Sequence, residues 1–204
     1  MPPFDPADAD RYPAVIGVDE VGRGALCGPV VVAAVWFVPA ELPAALLGAL
    51  DDSKKLRPAV RDRLAVDLLA VARVRLVAAA APVIDRRGIR TMTLDAMRRA
   101  VERLAIDAPV IVDGNDPPPG IMLPLDTCVR GDGRVPQIAA ASIVAKSCRD
   151  RLMARLALRH PAYRWERNAG YGTAEHLAAI AQLGATRHHR LSFAPLSQGV
   201  LELR

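Results

Sequence analysis

The chain has 204 residues, 51% of them hydrophobic, and a formal net charge of +5. That is enough apolar material for one compact domain with a real core, and the longest apolar run, Pro29 to Pro39, is too short to span a bilayer. Three cysteines without CxxC spacing exclude a zinc ribbon and a disulfide scaffold, and fit a reducing cytoplasm.

The first residues, Met1 to Tyr12, are acidic and proline-containing, so no secretory signal is expected. Val15–Val18 is a β-rich run leading directly into Asp19 and Glu20, and Val30–Val38, apolar throughout, suits a central strand covered on both sides. A turn at Asp51-Asp52-Ser53 precedes a helix from Pro58, with Val66, Leu69 and Ala70 expected along one side. Val74–Ala80 reads as a third strand. From Thr93 to Leu104, Leu94, Met97, Val101 and Leu104 share one helical face. Val110–Val112 is a short buried strand ending at Asp113, and Asp116-Pro117-Pro118-Pro119-Gly120 enforces a loop. A long helix is expected from Pro136 to Arg159, and a last one from Ala174 to Leu183, stopped by Gly184. Strands with acidic tips alternating with helices predict a mixed α/β sheet flanked by helices. The division is a tail over 1–13, a core over 14–150 and a helical C-terminal extension over 151–204.

The basic residues are almost all arginine, since lysine occurs only at Lys54, Lys55 and Lys146. With a sequence pI of about 9.6, the surface suits a polyanion such as nucleic acid. Asp19, Glu20, Asp113 and Asp132 are the candidate metal-binding and catalytic residues. Oxygen donors without histidine or cysteine neighbours select Mg2+ or Mn2+, and converging carboxylates repel one another unless a cation neutralises them. The corresponding chemistry is two-metal phosphoryl transfer. Asp19 and Glu20 alternate across a strand, so both can reach one ion only where the strand ends or bulges. Lys54, Lys146 and Ser142 are candidate phosphate contacts, and Lys55 a weaker one. Asp150 is expected to be an ion-pairing helix residue, Asp116 and Asp126 solvated turn residues, and His188 and His189 structural or phosphate-facing.

In order along the chain, Asp19-Glu20-Val21-Gly22-Arg23-Gly24, Asp52-Ser53-Lys54-Lys55-Leu56, Asp113-Gly114-Asn115 and Arg130-Gly131-Asp132 resemble the successive motifs of bacterial ribonuclease HII. So do Ala140-Ala141-Ser142-Ile143-Val144-Ala145-Lys146, Gly170-Tyr171-Gly172-Thr173 and His188-His189-Arg190-Leu191-Ser192-Phe193. The resemblance implies a ribonuclease H-like fold, a mixed five-stranded sheet with flanking helices and a helical C-terminal part. It further implies cleavage 5′ of a ribonucleotide in an RNA/DNA hybrid or a DNA duplex, leaving a 3′-hydroxyl and a 5′-phosphate, in the service of ribonucleotide removal. It makes Asp19, Glu20 and Asp113 metal ligands, with Asp132 completing the set. It gives Gly22, Arg23 and Gly24 contact with the ribose 2′-hydroxyl and sets Tyr171 against the next deoxyribose; Ser53 joins the substrate contacts. Ala25, Arg57, Ala169 and Ser147 depart from the family pattern, where proline, a helix-capping residue, lysine and valine are usual. The rivals are another Mg2+-dependent nuclease of this fold (an exonuclease or a junction resolvase) and a non-catalytic nucleic-acid-binding module. A monomer is expected, and the tail 198–203 faintly resembles a sliding-clamp-binding peptide.

Overall fold

The computed structural model describes residues 4–198. Five strands, β1 (Ile16–Val21), β2 (Val30–Trp36), β3 (Arg73–Ala79), β4 (Val110–Asp113) and β5 (Leu125–Cys128), form one sheet in the order β3-β2-β1-β4-β5. β1, β2 and β3 pair antiparallel, whereas β4 and β5 add parallel to β1, so the sheet is mixed as expected. The helices are α1 (Ala44–Leu47), α2 (Pro58–Val71), α3 (Ala81–Arg87), α4 (Ile89–Leu104), α5 (Pro136–Ala157), α6 (Trp165–Asn168) and α7 (Ala174–Leu183). The short α1, α3, α6 and β5 have no counterpart in the sequence-based element list. Among the described residues, no helix is long and apolar enough to cross a membrane.

α5 covers one face of the sheet and α4 the other. Val31, Ala33 and Val35 of β2 pack with Ala139, Ala140, Ile143 and Val144 of α5 and with Leu64 and Leu68 of α2. On the opposite face Ile16, Val18, Val32 and Val112 meet Leu94, Met97, Val101 and Leu104 of α4, the stripe expected of that helix. α5 lies directly on β1: a Cβ at Gly17 would overlap the backbone at Gln137. The α5 N-terminal half is therefore held against the strand that carries Asp19 and Glu20.

The buried face of α2 corrects the sequence-based expectation. Leu64, Ala65 and Leu68 are buried, together with Arg61, while Val66 and Leu69 are each 53% exposed. Arg61, Leu64, Ala65 and Leu68 follow i, i+3, i+4, i+7 spacing, so the core stripe contains a charge and was hidden by it. Arg61 is drawn inward by Asp150 at 2.7 Å and the Ser53 carbonyl at 3.3 Å. Asp150 is thus the ion-pairing residue expected. Asp116 is not merely solvated, because its carboxylate takes Arg90 in a two-pronged pair at 2.6 and 2.7 Å. Asp126 lies inside β5 rather than in a turn.

Candidate active site

Asp19 and Glu20 lie within β1 rather than after it. They pair across β2 with Ala33 and Val32, but on the other side the parallel ladder to β4 stops at Val18–Val112. Asp113 is the next residue of β4, so the last three residues of β1 face a notch where their neighbour has ended. A strand that continues on one edge and is uncovered on the other lets carboxylates of opposite pleat phase reach the same space, without a bulge. Asp19, Glu20, Asp113 and Asp132 all line one pocket of about 450 Å³.

The rest of the lining comes from two other segments. Ser53 and Lys54 arrive from the turn before α2, and Ser142 and Lys146 from successive turns of α5. The Ser53 and Ser142 hydroxyls are 2.8 Å apart, fastening that turn to α5. The Lys146 ammonium is held by Asp150 at 2.9 Å, and Lys55 pairs with Asp51 at 3.1 Å. Tyr171, 36% exposed, stands at the mouth. Arg23 lines a smaller neighbouring pocket with Glu20, Asp113, Asn115 and Arg90. A larger groove of about 600 Å³, between α1 and α2, is apolar apart from Arg63 and Asp67, and brings no catalytic groups together.

The pocket's electrostatics favour a cation. Burial, then Glu20 and Asp113, push the Asp19 carboxyl up to about 8, against the lowering hydrogen bond from Ser142. Burial also raises Glu20, opposed by Arg23. Asp132 is raised by burial and by the charges of Asp52 and Asp113. Three of the four carboxylates also have a protein donor: Glu20 meets Arg23 at 3.4 Å, Asp113 accepts from the Gly131 amide at 2.7 Å, and Asp19 accepts from the Glu20 amide at 2.7 Å. Among the described residues no three His, Cys, Asp or Glu side chains are gathered closely enough to hold one ion. The donor type and the mutual repulsion fit a hard divalent cation.

His188 and His189 do not approach this pocket. His189 is buried, with Nδ1 accepting from the Thr186 amide at 2.8 Å and Nε2 against His176 at 3.1 Å, a structural placement. Ser147 is structural too, its hydroxyl donating to Asp62 at 2.6 Å, and Arg57 precedes α2 without a side-chain cap. Two residues escaped the sequence-based site list, Arg149 and Arg190. Both are fully buried beside the Gly22–Gly28 segment, and Arg190 donates to the carbonyls of Gly28 and Arg23. The only sequence signal for Arg149 is its place on the Ser142 and Lys146 face of α5.

The ribonuclease HII family pattern matches residues 16–196. A ribonuclease HII of Paramagnetospirillum magneticum is 54% identical over 188 residues, 92% of this chain and 93% of that protein. Among solved structures, ribonuclease H2 from Pyrococcus horikoshii superposes with a TM-score of 0.77 at 22% identity, over 94% of this chain and all of the other. Bst-RNase HIII in complex with Mn2+ gives 0.72 at 20% identity, covering 96% and 71%. With the motifs in order, the five-stranded mixed sheet and the carboxylates in one pocket, the chain belongs to the ribonuclease HII family of metal-dependent endonucleases.

Proposed function

We propose that this protein cleaves the phosphodiester on the 5′ side of a ribonucleotide, in an RNA/DNA hybrid or within a DNA duplex, leaving a 3′-hydroxyl and a 5′-phosphate. The observation that carries this is one pocket lined by four carboxylates and two lysines with an aromatic ring at its mouth. Asp19, Glu20 and Asp113 would hold the metal, with Asp132 completing the set, and the Mn2+ complex of Bst-RNase HIII supports a divalent ion. When bound, two Mg2+ or Mn2+ ions would activate the attacking water and stabilise the leaving 3′ oxygen. Lys54, Lys146, Ser53 and Ser142 would orient the phosphates, Lys146 exchanging part of its contact with Asp150 for a phosphate oxygen. The Gly22–Arg23–Gly24 turn would address the 2′-hydroxyl, the group that separates RNA from DNA at one site. Tyr171 would pack on the following sugar and reject a 2′-hydroxyl there.

The core over 14–150 supplies the carboxylates and the extension over 151–204 supplies Tyr171. The protein would act as a monomer, in ribonucleotide removal from DNA. The clamp-like tail 198–203 lies outside the described residues from 199 onward.

The test is an end-labelled DNA duplex carrying one ribonucleotide, incubated with Mg2+, with Mn2+ and with chelator. A metal-dependent nick 5′ of the ribonucleotide, absent from an all-DNA duplex, is the expected result. Cleavage of the all-DNA duplex would replace this function with that of a DNA nuclease.

A further inference from the structure

α5 presents Ser142, Lys146, Arg149 and Met153 at intervals of four, three and four residues, one stripe along the helix. The first two line the carboxylate pocket. The third carries the stripe to where the Gly22–Arg23–Gly24 turn meets the Tyr171 loop. Arg149 is fully buried, and its guanidinium hydrogen bonds go to main-chain carbonyls. Nε donates to Pro29 at 2.9 Å, Nη1 to Ala169 at 2.8 Å and Nη2 to Cys27 at 3.0 Å. Its central carbon lies 5.5 Å from the centroid of the Tyr171 ring. On the other side Gly22 sits at φ +91°, and a Cβ there would overlap the Arg149 Nε.

Among the described residues no ion pair involves Arg149. A buried cation without a carboxylate is costly to desolvate, and filling space would be met more cheaply by an apolar side chain. What a guanidinium adds is a planar fork that holds carbonyls from two segments distant in sequence while stacking on an aromatic face. The same segments are joined by the Leu26 and Cys27 amides, which donate to the Gly170 carbonyl at 2.8 and 3.1 Å. The turn and the tyrosine loop therefore share one rigid support, and that support hangs on the helix that carries Ser142 and Lys146.

We propose that Arg149 is a positioning residue for ribose recognition, fixing the Gly22–Arg23–Gly24 turn and the Tyr171 ring as one unit so that they address consecutive sugars of the cleaved strand. This rests on the assignment of the turn and of Tyr171 to sugar contacts made above. Lysine at 149 would keep the charge but lose both the fork and the plane. Small misplacements of groups that orient a substrate cost up to about 10²-fold in rate.

The experiment uses the whole chain as Arg149→Lys, Tyr171→Ala and the double variant. Rates are taken on a duplex with one ribonucleotide and on a continuous RNA/DNA hybrid, and amide hydrogen exchange is followed by mass spectrometry. Arg149→Lys is expected to lower the single-ribonucleotide rate by about 10 to 10²-fold and to lower its ratio to the hybrid rate. In the Tyr171→Ala background the same change is expected to cost less than about threefold, because coupled residues are not additive. Exchange should rise together over 22–25 and 169–172. Independent, multiplying effects with an unchanged ratio would overturn the proposal and leave Arg149 a support of the fold alone, as would a rise in exchange confined to one segment. A Tyr171→Ala enzyme with an unaltered ratio would instead remove the tyrosine assignment, and the proposal with it, by a different signature. If Arg149→Lys does not fold, Arg149→Gln carries the same comparison.

Discussion

Asp19 sits inside a strand, buried, with its carboxyl pushed up to about 8 chiefly by burial and next by Glu20. One of its oxygens accepts the Glu20 amide at 2.7 Å, a bond that an asparagine oxygen would keep. Asp19→Asn is therefore expected to separate stability from activity. The single-ribonucleotide rate should fall by at least about 10²-fold, as for loss of a group that supports metal binding. Thermal unfolding in chelator should move upward, by the ~0.5–2 kcal/mol typical when a costly site residue is relieved. Calorimetry and the nicking assay on one preparation check both; undiminished cleavage would strike Asp19 from the ligand set. The positions of such carboxylates were readable because they fall within recognisable motifs, although Asp19 and Glu20 lie inside β1 and not at its end. Arg149 and Arg190 were not, since an arginine satisfied by carbonyls leaves no charge pattern in the sequence. Nor does sequence show that β4 ends one residue past Val112 while β1 runs on to Val21, which is what opens the notch.

At the level of elements, periodicity located α4, because Leu94, Met97, Val101 and Leu104 lie on one side, although the helix begins at Ile89 and not at Thr93. It failed for α2, whose valines and leucines are spread around the helix and whose core stripe begins with Arg61. The choice of face has a direct consequence. Leu68 is fully buried against β2 and α5, whereas its neighbour Leu69 is 53% exposed. Leu68→Ala is expected to cost about 2–5 kcal/mol, and Leu69→Ala to stay within about 0.5 kcal/mol. Urea unfolding of the two variants measures this, and equal losses would reverse the orientation of α2. The short β5 was missed for another reason: a strand of Leu125–Cys128 containing Asp126 and Thr127 carries too little apolar alternation to stand out.

Across the whole molecule, the C-terminal part is fixed to the catalytic sheet by main-chain bonds from Gly28 to His188 and from Arg190 to Leu26, both 2.8 Å. Behind that seam all four histidines cluster with Tyr163 and Trp165. The hydrogen bonds assign the tautomers of His176 and His189. His176 Nδ1 faces the Tyr171 carbonyl at 2.9 Å and must donate, so its Nε2 accepts, from Trp165 Nε1 at 3.0 Å and from His189 Nε2 at 3.1 Å. His189 can donate there only with its Nδ1 accepting from the Thr186 amide, which is the arrangement observed at 2.8 Å. A proton added to either ring would set donor against donor. Burial, and then His176, accordingly press His189 down to about 4, and burial lowers His176 as well. A histidine whose folded pKa lies below its unfolded value of 6.5 contributes its full stability above 6.5, and loses it as pH falls toward the folded value, because the unfolded chain then binds more protons. For His189, 1% exposed, the loss is ~2 kcal/mol by pH 5 and ~3 kcal/mol below pH 4. Urea unfolding at pH 7.5, 6 and 5 is expected to show that decline beginning before most carboxylates titrate. His189→Asn should be less stable than the wild type at pH 7.5 yet lose less between pH 7.5 and 5. Equal slopes in the two proteins would move the acid sensitivity to the carboxylates. Because the network ends on the Tyr171 carbonyl, the loop bearing the ring at the pocket mouth should loosen along with it, so exchange of the 169–172 amides should rise over the same pH range.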